Sequence, residues 1–428
     1  MMEVRISEKT DTPELAEVSL TRFVGYFLRL GTFGFGGPIA LAGHMQQDLV
    51  EERHWISKQD YVEGLALAQL APGPLAAQLA IYLGYVRNGI LGATAVAIAF
   101  VLPSFLMVLA LSAAYVRYGG LGWMQAIFYG IGASVIAIIA RSAYKLTKLT
   151  LGKDKLLWGI FVVLAVTTAW TSREIVWLFL VAGVVALLVK AMPTKAQVET
   201  IRPAVWLFGP PTFAGASGLL GIFLYFAKAG VFVFGSGLAV VPFLYGGVVQ
   251  EHHWLNDRQF VDAVAVAMIT PGPVVITVAL IGYLVAGISG ATAAALGIFF
   301  PVYLIVVLLA PSYKRWAKNP QLNAFVRGVT AAATGAIAGA VIVLARRSIY
   351  DVATLMIALV TLGVLIRWQV PEPILIGCAA VAGLLLRSAW DNEKTASGRY
   401  FLSPKRPAEL YSDDIALGHD ACIAGAQN

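Results

Sequence analysis

Residues 33–74 read FGFGGPIALAGHMQQDLVEERHWISKQDYVEGLALAQLAPGP, and residues 232–273 read FVFGSGLAVVPFLYGGVVQEHHWLNDRQFVDAVAVAMITPGP. The two stretches align at a constant spacing of 199, the spacing of Phe33 from Phe232. That spacing sets Phe35 against Phe234, Gly36 against Gly235, Glu52 against Glu251, His54 against His253 and Trp55 against Trp254. It also sets Glu63 against Asp262 and Pro72-Gly73-Pro74 against Pro271-Gly272-Pro273. After a one-residue slip, Gly92-Ala93-Thr94 matches Gly290-Ala291-Thr292, and Pro103 matches Pro301. Chance apolar similarity does not keep His-Trp and Pro-Gly-Pro in register, so the chain is an internal duplication.

The composition says where this duplication resides. Of 428 residues, 59% are hydrophobic and only 13% charged, with a mean hydropathy of +0.77. A soluble domain carries about 25% charged residues. There are too few charges here to coat a soluble body, and too much apolar surface for disorder. Uncharged apolar runs recur near 89–115, 123–140, 156–171, 174–189, 288–310, 328–345, 352–366 and 373–386. Four further runs, 18–43, 62–86, 213–246 and 261–286, are interrupted by Gly or Pro. β-barrel alternation is missing, so helices are the spanning option. The expected fold is an all-α integral membrane protein of two homologous halves, with about 10–12 membrane segments. The expected division is an acidic N-terminal tail at 1–17, repeats at 18–190 and 205–387, a linker at 191–204 and a polar tail at 388–428.

Net charge is +7. Residues 1–17 contribute −3 and residues 388–428 contribute −2, which leaves +12 on the body between them. Most of it falls in the connections at 141–155 and 311–327, one span out of step between the halves. By the bias of basic residues toward cytoplasmic loops, equivalent loops then face opposite sides. The expectation is an inverted-topology repeat. The Arg346-Arg347 pair fits this pattern least well.

The interruptions carry the chemistry. Proline disrupts a running helix but suits the first turn of a new one. Pro72-Gly73-Pro74 should therefore end a half-helix at 62–70 and start another at 75–86, and Pro271-Gly272-Pro273 should repeat the device. Backbone groups freed at that depth need protein or a wet cavity, and the positive end of the new helix suits an anion. Gly36, Gly37 and Pro38, with Gly235 and Ser236 in the repeat, form the other interruption, where an unwound turn exposes N–H groups. Close helix packing is the competing use of such glycines.

Charges inside apolar runs are costly and face a partner or water. Arg29 and Lys228 are such a matched pair, each just before its glycine break, and are assigned to substrate; snorkelling is the alternative. Gln69, Gln78 and Thr277 flank the Pro-Gly-Pro breaks and can donate hydrogen bonds to an oxyanion. Glu52, His54 and Glu63, with Glu251, His253 and Asp262, are coupling or gating candidates because carboxylates and imidazoles take up and release protons. Interfacial anchoring is the other reading of the His-Trp pairs. Cys378 and Cys422 have no metal-ligand spacing, and no phosphate-binding loop is present, so neither cofactor nor metal is expected. The N-terminus has no signal-peptide pattern. Scattered basic residues argue against nucleic acid as a partner.

FGFGGP, the Glu/His-Trp stretch and ALAQLAPGP, repeated once, resemble the chromate ion transporter family in its long, two-domain form. The resemblance covers nearly the whole chain. The family-like residues are Phe35, Gly36, Gly37, Pro38, Glu52, Trp55, Gln69 and Pro72-Gly73-Pro74. The second half departs from the motif at Ser236, Gly237 and Met268, which fits one asymmetric site dominated by first-half residues. The resemblance implies efflux of chromate from the bacterial cytoplasm and hence chromate resistance. It also implies a drive from the proton gradient or membrane potential, competition by sulfate, and oppositely oriented halves in the cytoplasmic membrane. A homodimer is common for such carriers. A sulfate or other oxyanion transporter, a passive anion channel and a membrane enzyme acting on lipid are the alternatives. The last would need an acidic or His/Asp cluster, and His252-His253 has no such companion.

Overall fold

The computed structural model describes residues 16–35, 37–119, 121–171, 176–191, 218–232, 234–235, 240–312, 319–349, 351–368 and 370–396. The tails beyond 16 and 396, most of the linker, Gly36, Ser236, Gly237 and the turn residues Ser172-Arg173-Glu174 lie outside them. So do Lys314, Arg315, Lys318 and Cys422.

The first half contains α1 (Leu20–Phe33), α2 (Gly37–Gln46), a π-helical turn (Gln47–Glu52) and α3 (Lys58–Leu70), then a two-residue extended segment β1 (Gly73–Pro74). It continues with α4 (Leu75–Tyr118), α5 (Gly122–Leu151), α6 (Lys155–Thr171) and α7 (Val176–Lys190). The second half repeats the order: α8 (Leu219–Phe232), β2 (Phe234–Gly235), α9 (Val240–Tyr245), a π-helical turn (Gly246–Glu251) and α10 (Asp257–Ile269). A 3-10 turn (Val274–Ile276), α11 (Thr277–Leu309), α12 (Pro320–Ser348), α13 (Val352–Arg367) and α14 (Glu372–Ala396) complete it. The spans starting at Leu75, Gly122, Val274 and Pro320 are long and apolar enough to cross a membrane, and five shorter apolar helices accompany them. The protein is a multi-pass helical membrane protein built from two homologous halves.

Local sequence sets the helix starts. The Ser57 hydroxyl accepts from the Asp60 N–H at 3.0 Å and caps α3. Asn256 and Gln259 form a reciprocal capping box on α10. Asn319 followed by Pro320 starts α12. The basic connection expected at 141–155 is mostly helix, because α5 runs on to Leu151. Lys145 and Lys148 therefore stand on the last turns of α5 rather than in a loop. Likewise Arg327 lies inside α12, and Arg347 is held there by Asp257 at 2.5 Å.

Neither α4 nor α11 is one rod. Asn88-Gly89 leaves helical geometry at φ/ψ −140/32 and 57/−146, and Ala286-Gly287 does so at −146/32 and 61/−149. An ideal Cβ on Gly84 would lie 2.6 Å from the Gly92 carbonyl oxygen. Eight residues of continuous helix would separate those positions by about 12 Å. The chain thus turns back on itself at Gly89, giving a short arm (75–87) and a long arm (90–118). Gly282 and Gly290 make the same contact in the repeat. The short arm also folds back on α3, since a Cβ on Gly64 would meet the Tyr82 ring at 2.4 Å. Pro72-Gly73-Pro74 is the tip of that folded-back hairpin. The expected half-helices at 62–70 and 75–86 are the inner part of α3 and the short arm of α4.

The halves interlock. The terminal hairpin α6–α7 of the first half packs on α12 of the second, while α13 and α14 pack on α5 of the first. Small residues bring these backbones together. An added Cβ on Gly335 would sit 2.4 Å from the Phe161 carbonyl oxygen, and one on Gly130 would sit 1.9 Å from that of Ala379. Within the halves, Gly31 meets the Phe100 carbonyl and Gly230 meets that of Ile298 in the same way. One apolar core gathers α1–α4 around Phe23, Phe27, Leu79 and Phe100, and reaches Val306 of the second half. A second gathers α8–α12 around Phe226, Phe260 and Ile298, and takes in Val135 and Ile139 of α5.

Candidate functional site: the crossing of four chain breaks

Each Pro-Gly-Pro tip is held by the glycine break of the other half. Gly73 and Pro74 pair in parallel with Phe234 and Gly235. Reciprocally, the Gly272 N–H donates to the Gly34 carbonyl at 2.8 Å. The two contacts are related by the internal repeat. This satisfies part of the backbone that the prolines and glycines free from helical bonding. The rest is supplied by nearby side chains. Gln78, fully buried, donates its amide to the carbonyls of Ala71 (3.2 Å) and Pro72 (2.7 Å). Its Oε1 has no hydrogen-bond partner among the described residues. The Thr277 hydroxyl, at the matched position, donates to the Val274 carbonyl at 2.8 Å. Ser104 on the long arm of α4 donates to the Gly31 carbonyl at 3.2 Å and packs against Gly272.

Glycine is required at both tips. Gly73 has φ +139 and Gly272 φ +97, values that strain any L side chain. Gly37, which starts α2 ahead of Pro38, has φ +75. The residues from Gly73 to Leu83 and from Pro271 to Gly282 are buried, so the crossing is closed to solvent in this conformation. Two half-helices begin there, at Leu75 and at Thr277. Their positive dipole ends lie at the tips, and in the second half the 3-10 turn already engages the N–H groups of Ile276 and Thr277.

The structure thus groups Pro72, Gly73, Pro74 and Gln78 with Gly235 in one clasp, and places Pro271, Gly272, Pro273 and Thr277 in the matched clasp on Gly34. Gln69 lies on the exposed side of α3, away from these contacts. Gly36 and Ser236 fall outside the described residues. Arg29 is on the exposed stripe of α1, opposite the buried Phe23, Tyr26, Phe27 and Leu30, and Lys228 is half-buried on α8. Both precede the crossing by about one turn rather than entering it.

The coupling candidates divide. Glu52 is exposed and accepts from Gln47 at 3.0 Å within the π turn, and Glu251 is exposed at the matched place. His54 and His253 both have φ 51, the only positive values at non-glycine residues among those described. The His54 ring Nδ1 contacts the Val50 carbonyl at 2.8 Å. After each His the chain turns back, with the Trp55 N–H on the Leu49 carbonyl and the Trp254 N–H on that of Val248, both at 2.8 Å. The His-Trp pair therefore builds a turn. Arg53 stacks on Trp55 at 4.8 Å, and His252 stacks on Trp254 at 4.6 Å. Glu63 is half-buried and accepts from Gln59 at 3.0 Å. Asp262 is buried and accepts from Tyr115 of the other half at 2.8 Å. Sequence reasoning missed Ser104 and Tyr115, because their partners are distant in the chain.

Among the described residues no group of His, Cys, Asp and Glu is placed to hold a metal ion. A groove lined by Tyr144, Lys148, Trp158, Phe161 and Val341 contains none of the crossing residues.

The model of the chromate transporter family matches residues 21–187 and again residues 220–384. The chain belongs to the chromate transporter family. Each matched copy spans one complete set of breaks, so the crossing is made by one copy of the family unit against the other. A chromate transport protein of Cupriavidus metallidurans is 60% identical over 377 residues, covering 86% of this chain and 93% of the relative. A probable chromate transport protein of Synechococcus elongatus is 56% identical over 381 residues, covering 86% and 96%. A chromate transport protein of Pseudomonas aeruginosa is 32% identical over 360 residues, covering 80% and 86%. No solved structure matches the chain significantly.

Proposed function

We propose that this member of the family carries chromate out of the bacterial cytoplasm across the inner membrane, confers chromate resistance, and works by alternating access about the crossing. The reciprocal clasp of the Pro-Gly-Pro tips is the observation that carries this reading. It supports a site at the tips, because the positive dipole ends of the two half-helices that begin there suit a tetrahedral dianion. A repeat related by a two-fold axis in the membrane plane lets the same clasp open toward either side. Arg29 and Lys228, one turn outside the crossing, draw the anion toward it from the exposed face. Gln78 and Thr277 hold the tips in shape. Sulfate has the same shape and charge as chromate and competes for the site. The drive is the proton gradient or anion exchange, and the protein can act as a homodimer.

A passive channel needs a continuous wet path, whereas the buried crossing favours a carrier that opens one side at a time. The test is uptake of labelled chromate into inside-out vesicles, with and without a proton gradient and with sulfate as competitor. Saturable uptake that sulfate reduces is expected. Arg29→Ala, present in the membrane at normal amount, should lose about tenfold in uptake at low chromate, the scale of a lost steering charge. Normal uptake by that variant would remove Arg29 from the mechanism.

A further inference from the structure

Asp262 is a carboxylate in a place built for apolar side chains. It lies on α10, one leg of the second half's folded-back hairpin, at 4% exposure. Phe260, Val261, Ala263, Val264 and Val266 around it in the sequence are all buried. Its Oδ2 accepts from the Tyr115 hydroxyl at 2.8 Å. Tyr115 belongs to the long arm of α4 in the first half, so this hydrogen bond ties the two halves across their seam. Phe128 of α5 covers the Tyr115 ring edge-on at 5.3 Å.

The groups acting on Asp262 are Tyr115 from α4 and Arg258 from its own helix. Arg258 is exposed one turn earlier and donates to the Gln125 carbonyl of α5 at 3.4 Å. Arg347 of α12 is engaged by Asp257 and lies over Tyr245. Glu372 of α14 faces Arg141 and Lys145. The packing surface from the 3-10 turn and the start of α11 is Val274, Val275, Ile276 and Val278. The repeat preserves the pair. With the spacing of 198 that relates Gly92 to Gly290, Tyr115 maps onto Tyr313, and Asp262 maps onto Glu63 at the spacing of 199. Each half thus encodes one carboxylate and one tyrosine at equivalent places. Tyr313 lies outside the described residues.

The physical consequence follows from burial. A carboxylate shut away from water is costly to keep charged, and a single phenol does not replace its hydration. Adding a proton removes the charge while the contact with Tyr115 is kept. Opening the seam would instead expose the carboxylate to water and to Arg258, which favours the charged form. The geometry points to Asp262, bonded to Tyr115 across the seam, as the proton-binding site that couples uptake of one proton to closure of the two halves. This deepens the transport reading above and rests on it. Proton binding favours the closed seam, release favours the open one, and the linkage is reciprocal.

The test uses purified protein in proteoliposomes and two measurements on each variant. One is accumulation of labelled chromate driven by a pH gradient. The other is chromate counterflow with equal pH on both sides. Asp262→Asn keeps the volume and the hydrogen bond but cannot release a proton. It should lose driven accumulation by at least about tenfold while counterflow stays near that of wild type. Tyr115→Phe removes the donor to the carboxylate and should move the pH midpoint of driven transport upward with counterflow retained. Normal driven accumulation by Asp262→Asn overturns the proposal. If Asp262→Asn does not reach the membrane, Tyr115→Phe decides, and an unchanged midpoint overturns it. Wild-type protein that shows no chromate counterflow overturns the transport reading itself and the proposal with it.

Discussion

Gly272→Ala tests whether the crossing is as tight as its geometry implies. Gly272 has φ +97, and a Cβ there would lie 2.0 Å from the Ser104 Oγ, 3.1 Å from the Ser104 Cβ and 3.3 Å from the Gly31 carbonyl oxygen. Ser104 is fully buried and holds the Gly31 carbonyl at 3.2 Å, so it cannot move aside without losing that bond. The backbone strain is about 1–3 kcal/mol, and the lost hydrogen bond adds about 0.5–1.5 kcal/mol. Together they make about 1.5–4.5 kcal/mol. The tip must also shift, which strains the bond from the Gly272 N–H to the Gly34 carbonyl. Gly89→Ala is the control, because Gly89 has φ +57 but no atom within 4 Å of its missing Cβ. It carries strain alone, about 1–3 kcal/mol. The assay is the thermal midpoint of purified protein together with chromate uptake per molecule. Gly272→Ala should fall further than Gly89→Ala on both counts. Adding Ser104→Ala should recover part of the midpoint by relieving the collision, and none of the part due to φ. Gly272→Ala protein with the wild-type midpoint and uptake would refute the reasoning, as would a double variant no better than the single one.

Two further outcomes follow from the described contacts. His54→Gly and His253→Gly should raise stability slightly, by up to about 1 kcal/mol each, and leave the pH profile of transport unchanged, because both positions serve a left-handed turn; a flattened profile would return the histidines to proton coupling. Gly335→Leu should prevent α6 from seating on α12 and so reduce the monodisperse fraction on size-exclusion chromatography, since even a Cβ lies 2.4 Å from the Phe161 carbonyl oxygen; a normal elution profile would mean that the helices can separate there at little cost.

Much of the fold was legible because membrane helices are written in hydropathy and the duplication gives each reading a second witness. The Pro-Gly-Pro breaks were placed correctly because proline chemistry is local. What hydropathy cannot distinguish is a long span from a hairpin. Residues 75–118 are apolar throughout, yet they reverse at Asn88-Gly89, where only backbone dihedrals and the Gly84–Gly92 contact reveal the turn. The basic segment at 141–155 misled for a related reason. Charge marks the end of the apolar stretch, not the end of the helix, and Arg141, Lys145 and Lys148 continue α5 because lysine and arginine are good helix formers.

The site was legible as a list of residues and illegible as a set of partners. Pro72 to Pro74 and Phe234 to Gly235 are identifiable separately, but nothing in either segment says that one holds the other. That pairing has a physical cause the sequence states only indirectly. A break in a helix leaves N–H and C=O groups without partners, and within a membrane they must find protein. Each half has two breaks. The seam joins the tip of one half to the glycine break of the other, so neither half closes its own backbone accounts in full. The same exchange is repeated on a larger scale, where α6–α7 leaves its own half to cover α12 and α13–α14 crosses to cover α5. A protein tied in this way has one plane along which it can open while keeping each half intact. The residues that bridge that plane are the ones to weigh for function: Gly73 with Phe234, Gly272 with Gly34, Thr94 with Tyr303 at 2.7 Å, and Tyr115 with Asp262. Three of these contacts are neutral, and their strength does not respond to pH. The fourth places a buried ionisable carboxylate on the plane of opening, so a proton bound there acts directly on that opening; the more exposed Asp351, which accepts from Tyr129, is a second carboxylate between the halves.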